Sequence, residues 1–126
     1  MVRPGKRVVW PALPLAVVLG VAAQPAASTG DPMHGKVLYA ACMGCHSLDE
    51  NDVGPRHRGM VGRRAGTVAD YHYSTALKGS GLVWTPVNLD RWLTNPQALV
   101  PGAKMYFQIA KAQSRADIIA YLATER

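Results

Sequence analysis

The stretch Cys42-Met43-Gly44-Cys45-His46 has the pattern Cys-x-x-Cys-His, which is typical of covalent haem attachment. Two thiols on one helical turn can reach both vinyl groups of a single porphyrin and form a thioether bond with each. The next residue, His46, can then present its imidazole to the iron, because neutral histidine is a good proximal ligand for haem. Gly44 keeps side-chain bulk away from the porphyrin face. The motif therefore predicts one covalently attached c-type haem.

Two other kinds of site also use a Cys-x-x-Cys pair, namely a zinc site and a redox-active disulfide. Zinc needs a second pair of ligands, but the chain has only 2 cysteines and its other histidines, His34, His57 and His72, are scattered. A thioredoxin-like disulfide needs a βαβ context, and the sequence has no such pattern. Both alternatives stay open at this stage, although haem attachment is favoured.

The N-terminal residues have the pattern of a secretory signal peptide. A basic start is followed by an apolar run over residues 8–23, and small residues suitable for cleavage stand at 21–23 and 25–27. We predict a signal peptide over residues 1–23, a short linker over 24–31 and one domain over 32–126. An uncleaved membrane anchor is the alternative, but the apolar run is shorter than the roughly 20 residues that span a bilayer.

Charge and length describe a small, mildly basic domain. The whole chain has a formal charge of +6, and loss of Arg3, Lys6 and Arg7 with the leader would leave +3 before haem attachment. This balance favours acidic protein docking sites over nucleic acid. The remaining length is enough for one small domain with a single core.

Helix signals predict an all-α fold. Asp31-Pro32 has the pattern of an N-cap followed by proline at the first helical position. The periodic residues that follow predict a helix leading into the haem motif, with Val37, Leu38 and Tyr39 packed inside. Residues 47–72 show no sustained period and contain several glycines, so we predict a loop there.

The second half of the chain predicts three more helices and no strand. A short helix over 73–79 ends at Gly79, and the next begins at Thr85-Pro86 and ends at Asn95-Pro96. A long loop is predicted over 96–113. Ser114 and Asp117 have the spacing of a capping box at the start of the last helix. The buried faces of the last two helices are predicted to contain Leu89, Trp92, Leu93, Ile118, Ile119, Tyr121 and Leu122.

An electron-carrying haem needs its second axial position filled, and Met105 is the best candidate. It follows Pro101-Gly102 in a loop far in sequence from His46, so the two side chains can approach opposite haem faces. Thioether ligation raises the reduction potential because it favours ferrous iron. Met60 is the alternative ligand, whereas Met33 and Met43 lie too near the His46 side.

An ordered set of residues accompanies the haem motif, namely Gly35, Tyr39, Gly54-Pro55, Gly59, Gly62-Arg63, Tyr73, Trp84, Asn95-Pro96, Pro101-Gly102, Lys104-Met105, Phe107 and Tyr121-Leu122. Over residues 33–124 this set resembles class I cytochrome c, the soluble monohaem carriers of the bacterial periplasm and of mitochondria. The resemblance implies the cytochrome c fold, in which three main helices, short helices and long loops wrap around one covalent haem.

The resemblance also implies roles for individual residues. Cys42 and Cys45 would hold the haem, and His46 and Met105 would be the axial ligands of its iron. The Pro55 carbonyl would accept a hydrogen bond from the His46 ring and so orient it. Three side chains match the residues that hydrogen-bond the haem propionates, and these are Arg63, Tyr73 and Trp84. The other arginines of the loop, Arg56, Arg58 and Arg64, are predicted to be solvated.

Further matches concern packing and the haem edge. Gly35 and Tyr121 match the crossing point of the first and last helices, and Phe107 matches an aromatic residue beside the exposed haem edge. Two positions depart from the family, which usually has tyrosine at Trp92 and asparagine at Leu77. We expect a drier pocket and a raised reduction potential, because a less polar site supports the extra charge of ferric haem poorly.

The function implied is a soluble periplasmic one-electron carrier, monomeric and without enzymatic activity. Its partners would be a quinol–cytochrome c oxidoreductase, a terminal oxidase, a photosynthetic reaction centre or a dehydrogenase, with membrane contact only through them and no nucleic acid. The family's ring of lysines is sparse here, so electrostatic steering should be weak.

Two alternatives stay open: a peroxidase or ligand-binding haem protein with a labile sixth ligand, and an electron-accepting subunit of a dehydrogenase. The spare histidines and Ser114 are interpreted as surface and cap residues.

Overall fold

The computed structural model describes residues 1–12 and 29–126. Within these ranges the regular structure is helical, and the only β pairing is a single bridge between Arg64 and Val83. The elements are α1 (Pro32–Leu38), a 3₁₀-helix (Tyr39–Cys42), α2 (Thr75–Lys78), α3 (Pro86–Thr94), α4 (Pro96–Leu99) and α5 (Ala112–Thr124). The predicted all-α class is therefore confirmed.

The predicted leader falls largely outside this description. Residues 1–12 are exposed and have no regular secondary structure. The proposed cleavage sites and most of the apolar run lie at residues 13–28, outside the described residues. Among the helices of residues 1–12 and 29–126, none has both the length and the apolar character needed to cross a membrane.

Two helices begin where their caps predict, at Asp31 and Thr85, and a third begins at a cap that was not predicted, Ser74. The Asp31 carboxylate accepts hydrogen bonds from the backbone N–H groups of Met33 and His34, at 2.9 and 3.3 Å. Thr85 Oγ1 accepts from the Asn88 N–H at 3.2 Å, and Ser74 Oγ accepts from Leu77 at 3.1 Å. These side chains satisfy backbone donors that have no partner inside a helix.

Several expectations for the first helix and the loops are wrong in detail. α1 ends at Leu38 and tightens into the 3₁₀-helix, so Val37 points outward and is 70% exposed, while Tyr39 is buried. The region 96–113 is not all loop, because Asn95 caps a four-residue helix, α4, by accepting from the Ala98 N–H at 3.1 Å. Arg58 is not simply solvated, since it bridges Asp49 and Glu125.

The predicted capping box at Ser114 and Asp117 is also wrong. α5 begins at Ala112, and its N-cap residue, Lys111, makes no side-chain capping bond. Asp117 lies in the second turn with 2% of its surface exposed. Its Oδ1 accepts from the Asp31 backbone N–H and from Gln113 Nε2, both at 2.8 Å, and its Oδ2 lies 2.7 Å from His34 Nδ1. Asp117 therefore ties the start of α1 to the side of α5.

α1 and α5 cross in backbone contact at Gly35. A Cβ atom added to Gly35 would lie 1.9 Å from the backbone oxygen of Asp117, a distance that no side chain tolerates. Tyr121, also expected at this crossing, lies one turn farther along α5 and packs its ring against Tyr39 at 5.3 Å between centroids. α3 packs on the same helix, and Leu89, Trp92, Leu93, Ile118, Ile119 and Leu122 are buried as predicted.

Substituting Gly35 by alanine should destabilise the protein. The added methyl group meets backbone rather than a movable side chain, and overpacking of this kind costs about 1–3 kcal/mol. For an overlap with backbone this severe we expect the upper part of that range, which exceeds the roughly 1 kcal/mol by which alanine favours a helix over glycine. Guanidinium unfolding of the haem-loaded protein measures the difference. Val37→Ala, an exposed change on the same helix, serves as control, and equal stability of the two variants would contradict the crossing.

Asp117 should make stability depend on acid pH. Its hydrogen bonds, first the one from the Asp31 N–H, lower its pKa from the ordinary 3.8 to about 2. The ionised form is thus favoured in the folded state, so the stabilisation is complete above about pH 4 and disappears as the pH falls through 2.

We expect Asp117→Asn to be less stable than the wild type at pH 6, with the difference shrinking between pH 4 and pH 2. Denaturant unfolding of the haem-loaded protein at several pH values measures it. Asp70→Asn, at an exposed position, is the control and should follow the wild type. A wild-type–Asp117→Asn difference that stays constant from pH 6 to pH 2 would contradict the assignment.

Candidate haem-binding site

The Cys-x-x-Cys-His motif folds into a tight turn after the 3₁₀-helix. The backbone N–H groups of Cys45 and His46 both donate to the Cys42 carbonyl, at 3.1 and 2.9 Å. Cys42 is half-buried and Cys45 exposed, and the two form no disulfide with each other. The turn brings these two side chains and the His46 ring to the wall of one cavity.

The His46 ring is oriented by its neighbours in the loop. Its Nδ1 donates to the Pro55 carbonyl at 2.8 Å, which leaves Nε2 with the lone pair. The Gly54 backbone packs directly against the ring, and a Cβ atom there would lie only 2.1 Å from Cε1 of His46. Burial lowers the pKa of His46, so the ring is neutral near pH 7, as an iron ligand must be.

His57, which the sequence interpretation assigned to the surface, lies inside the site. Its ring stacks on the His46 ring with centroids 4.0 Å apart and planes 24° apart. Its Nδ1 is 3.0 Å from the Tyr39 hydroxyl, and burial, with the nearby charge of His46, lowers its pKa to about 3. Only its position two residues after Pro55 hinted at this contact, since sequence periodicity is absent from the loop.

A mainly apolar cavity of about 400 Å³ occupies the centre of the described fold. All eight site residues proposed from the sequence line it, and these are Cys42, Cys45, His46, Pro55, Arg63, Tyr73, Trp84 and Met105. Met60, the alternative sixth ligand, lines it too, whereas Met33 and Met43 are 74% and 63% exposed. The structure therefore brings the predicted site residues together around a single cavity.

Polar groups of the lining remain able to bind a carboxylate. The Arg63 guanidinium donates to the carbonyls of Arg58 and Arg56, at 3.0 and 2.9 Å, and still has further N–H donors. The Tyr73 hydroxyl accepts from the Val68 backbone N–H at 3.1 Å, so its own proton is free to be donated. The indole of Trp84, which also lines the cavity, contributes one N–H donor.

Leu77 and Trp92, at which the resemblance led us to expect other residues, both face this cavity. Leu77 on α2 has 9% of its surface exposed, and Trp92 on α3 has 7%. The Trp92 ring packs edge-on against Trp84 with 5.1 Å between centroids. Two large, mainly apolar side chains thus form part of the cavity wall.

The other two uses of a cysteine pair do not fit this geometry. Among residues 1–12 and 29–126, no group of three or more histidine, cysteine and acidic side chains could hold a metal ion. Burial raises the pKa of the Cys42 thiol to about 11, whereas reactive redox thiols have a lowered pKa. Zinc binding and thiol redox chemistry are therefore both disfavoured.

The same geometry fits a porphyrin. Its apolar body matches the cavity walls, its vinyl groups match two free thiols beside a neutral histidine, and its carboxylates match the available donors of Arg63 and Tyr73. The nitrogen and thioether sulfur among the lining side chains are the donor set of a low-spin haem iron.

Comparisons with known proteins agree with this fit. A family model described as Cytochrome c matches residues 33–125. The chain is 42% identical over 102 residues to cytochrome c2 of Rhodomicrobium vannielii, covering 78% of this chain and 82% of that protein. It is 47% identical over 102 residues to cytochrome c2 of Rhodopila globiformis, covering 78% and 96%. Among solved structures, cytochrome cH from Methylobacterium extorquens matches with a TM-score of 0.73 at 45% identity, covering 75% of this chain and 99% of that one.

The family match spans nearly all of residues 32–126, and the structural match confirms the predicted fold. The similarity to proteins named cytochrome c2 favours a carrier over both the peroxidase-like alternative and the dehydrogenase subunit. The chain belongs to the cytochrome c family and is an electron carrier with one covalently attached c-type haem.

Proposed function

We propose that this cytochrome c is a periplasmic one-electron carrier whose haem iron is held between His46 and Met105. The observation that carries the proposal is that both side chains line the same apolar cavity, together with the thiols of Cys42 and Cys45. The haem supplies a reversible couple of ferrous and ferric iron. The chain supplies ligation, burial and a docking surface.

Met105 is preferred to Met60 as the sixth ligand because the two methionines belong to different segments of the chain. The Met60 backbone N–H donates to the His57 carbonyl at 2.9 Å, and the His57 ring stacks on His46. Met60 therefore belongs to the segment that supports the proximal histidine. Met105 comes from a separate segment after α4, which supports its approach to the opposite face.

The polar side chains of the lining would serve the propionates. Arg63 and Tyr73 each have a donor beyond those used within the protein, and Trp84, which lines the cavity, has an indole N–H. Charge-assisted hydrogen bonds of this kind would anchor the acidic edge of the haem. The Pro55 carbonyl would hold the proximal ring in one orientation.

Electron transfer to protein partners is the function we assign, with no catalytic residue. Both axial positions would be filled by side chains, so no coordination position would remain for a substrate. The leader pattern and the attachment motif support export to the periplasm, and a monomer would exchange electrons with a quinol–cytochrome c oxidoreductase, a terminal oxidase, a reaction centre or a dehydrogenase. Phe107, 47% exposed and lining the cavity, would lie at the docking surface.

Replacing Met105 by alanine tests the ligand assignment. The ferric protein should lose the weak near-infrared absorption band (the Fe–S band) that arises from the bond between the haem iron and a methionine sulfur. The reduction potential should fall by more than about 59 mV, which is a tenfold change for one electron, because thioether ligation favours ferrous iron. Optical spectra and a redox titration measure both.

Met60→Leu is the matched control, because this substitution conserves volume in a buried site and should leave the band in place. Loss of the band in Met60→Leu with retention in Met105→Ala would exchange the two assignments. A wild-type protein without the band would instead favour a ligand-binding haem protein with a labile sixth ligand.

Leu77→Asn should lower the reduction potential, because an amide in the cavity wall stabilises the extra positive charge of ferric haem. A polar contact of about 1 kcal/mol corresponds to a fall of roughly 40 mV for one electron. Redox titration measures the shift. Leu82→Asn, which introduces the same amide outside the cavity lining, is the control, and an equal shift in both variants would refute the drier-pocket explanation.

A further inference from the structure

The side chain of Gln97 makes three hydrogen bonds across the segment that ends at Met105. Its Nε2 donates to the carbonyl of Ala103 at 2.7 Å and to that of Met105 itself at 2.8 Å. Its Oε1 accepts from the Gly102 backbone N–H at 3.3 Å. Two carbonyl acceptors at one end and an N–H donor at the other determine the orientation of the amide.

Gln97 is well placed to act as an anchor because its own backbone is held. It lies in α4, next to Pro96, whose side chain is fully buried. The Asn95 side chain caps this short helix, and the Val100 N–H donates to the Pro96 carbonyl at 2.8 Å. The amide therefore extends from a fixed point to a segment that has no regular secondary structure.

Few other hydrogen bonds hold the loop between α4 and α5 near Met105. The Ala103 N–H donates to the Val100 carbonyl at 3.1 Å, and the Ile109 N–H donates to the Leu93 carbonyl at 2.8 Å. Lys104 Nζ donates to the His72 carbonyl. Of these contacts, only those from Gln97 reach the Met105 backbone.

We infer that Gln97 is a positioning residue that keeps Met105 on the haem iron, through its amide donors to the carbonyls of Ala103 and Met105. The inference rests on the proposed ligation by Met105. The iron can bind an external ligand only while the methionine is displaced, and the apparent affinity for that ligand scales with the displaced fraction. Gln97 would keep this fraction low and so make the protein a carrier rather than a ligand-binding haem protein.

The test is the affinity of the ferric haem-loaded protein for imidazole, measured optically at neutral pH. Gln97→Ala removes the three hydrogen bonds and should raise the imidazole affinity about tenfold. Gln97→Glu has nearly the same size but no donor, and it places an oxygen against two carbonyls. It should raise the affinity at least as much. Gln108→Ala, an exposed glutamine three residues beyond Met105, should leave the affinity unchanged.

A double variant separates action through the ligand from general loosening. If Gln97 acts through Met105, Gln97→Ala should have no further effect on imidazole affinity in a Met105→Ala background. The near-infrared Fe–S band should also weaken in Gln97→Ala but not in Gln108→Ala.

Three results would overturn the inference. The first is a Gln97→Ala affinity equal to that of Gln108→Ala. The second is tolerance of Gln97→Glu, which would assign the role to packing. The third is an undiminished effect in the Met105→Ala background. If the wild type lacks the Fe–S band, or if Met105→Ala itself leaves imidazole affinity unchanged, the proposed ligation fails and this inference fails with it.

Discussion

The backbone contact between α1 and α5 at Gly35 is the constraint on which the haem site depends. Only glycine allows the two helices to approach this closely, and Asp117 holds them in register from the side. The end of α1 then leads directly into the turn that carries both thiols. The end of α5 reaches the same region, because the Glu125 carbonyl accepts from the Gly59 N–H at 2.7 Å. Both ends of the domain therefore frame the side of the cavity on which His46 lies.

The two sides of the cavity are built in different ways. On the His46 side, short-range contacts predominate, such as the hydrogen bond from the Gly54 N–H to the Cys45 carbonyl at 2.7 Å and the stacked ring of His57. On the Met105 side, a loop without regular structure is held by side chains, above all Gln97. The asymmetry suits a site in which one ligand is adjacent to the covalent attachment and the other arrives from a distant segment.

Local chemistry made much of this predictable from the sequence. The caps at Asp31 and Thr85 act within a few residues, and the haem motif combines its donors in one pentapeptide, so both could be recognised without tertiary information. Asp117 was misassigned because two of its partners, Asp31 and His34, lie more than 80 residues away, and spacing alone cannot distinguish a capping box from a residue that makes long-range hydrogen bonds. The roles of His57 and Gln97 were invisible for a similar reason, since each depends on how a loop folds back on itself.

The crossing at Gly35 has a consequence for the order in which the domain can fold. α1 packs mainly on α5, which begins at Ala112, so these stabilising contacts join the two ends of the domain. Loop closure over this separation must precede the gain from packing, which slows folding relative to a bundle with local contacts. During synthesis the two thiols would emerge long before α5 exists. Both would then be accessible to chemical modification before the last helix is complete.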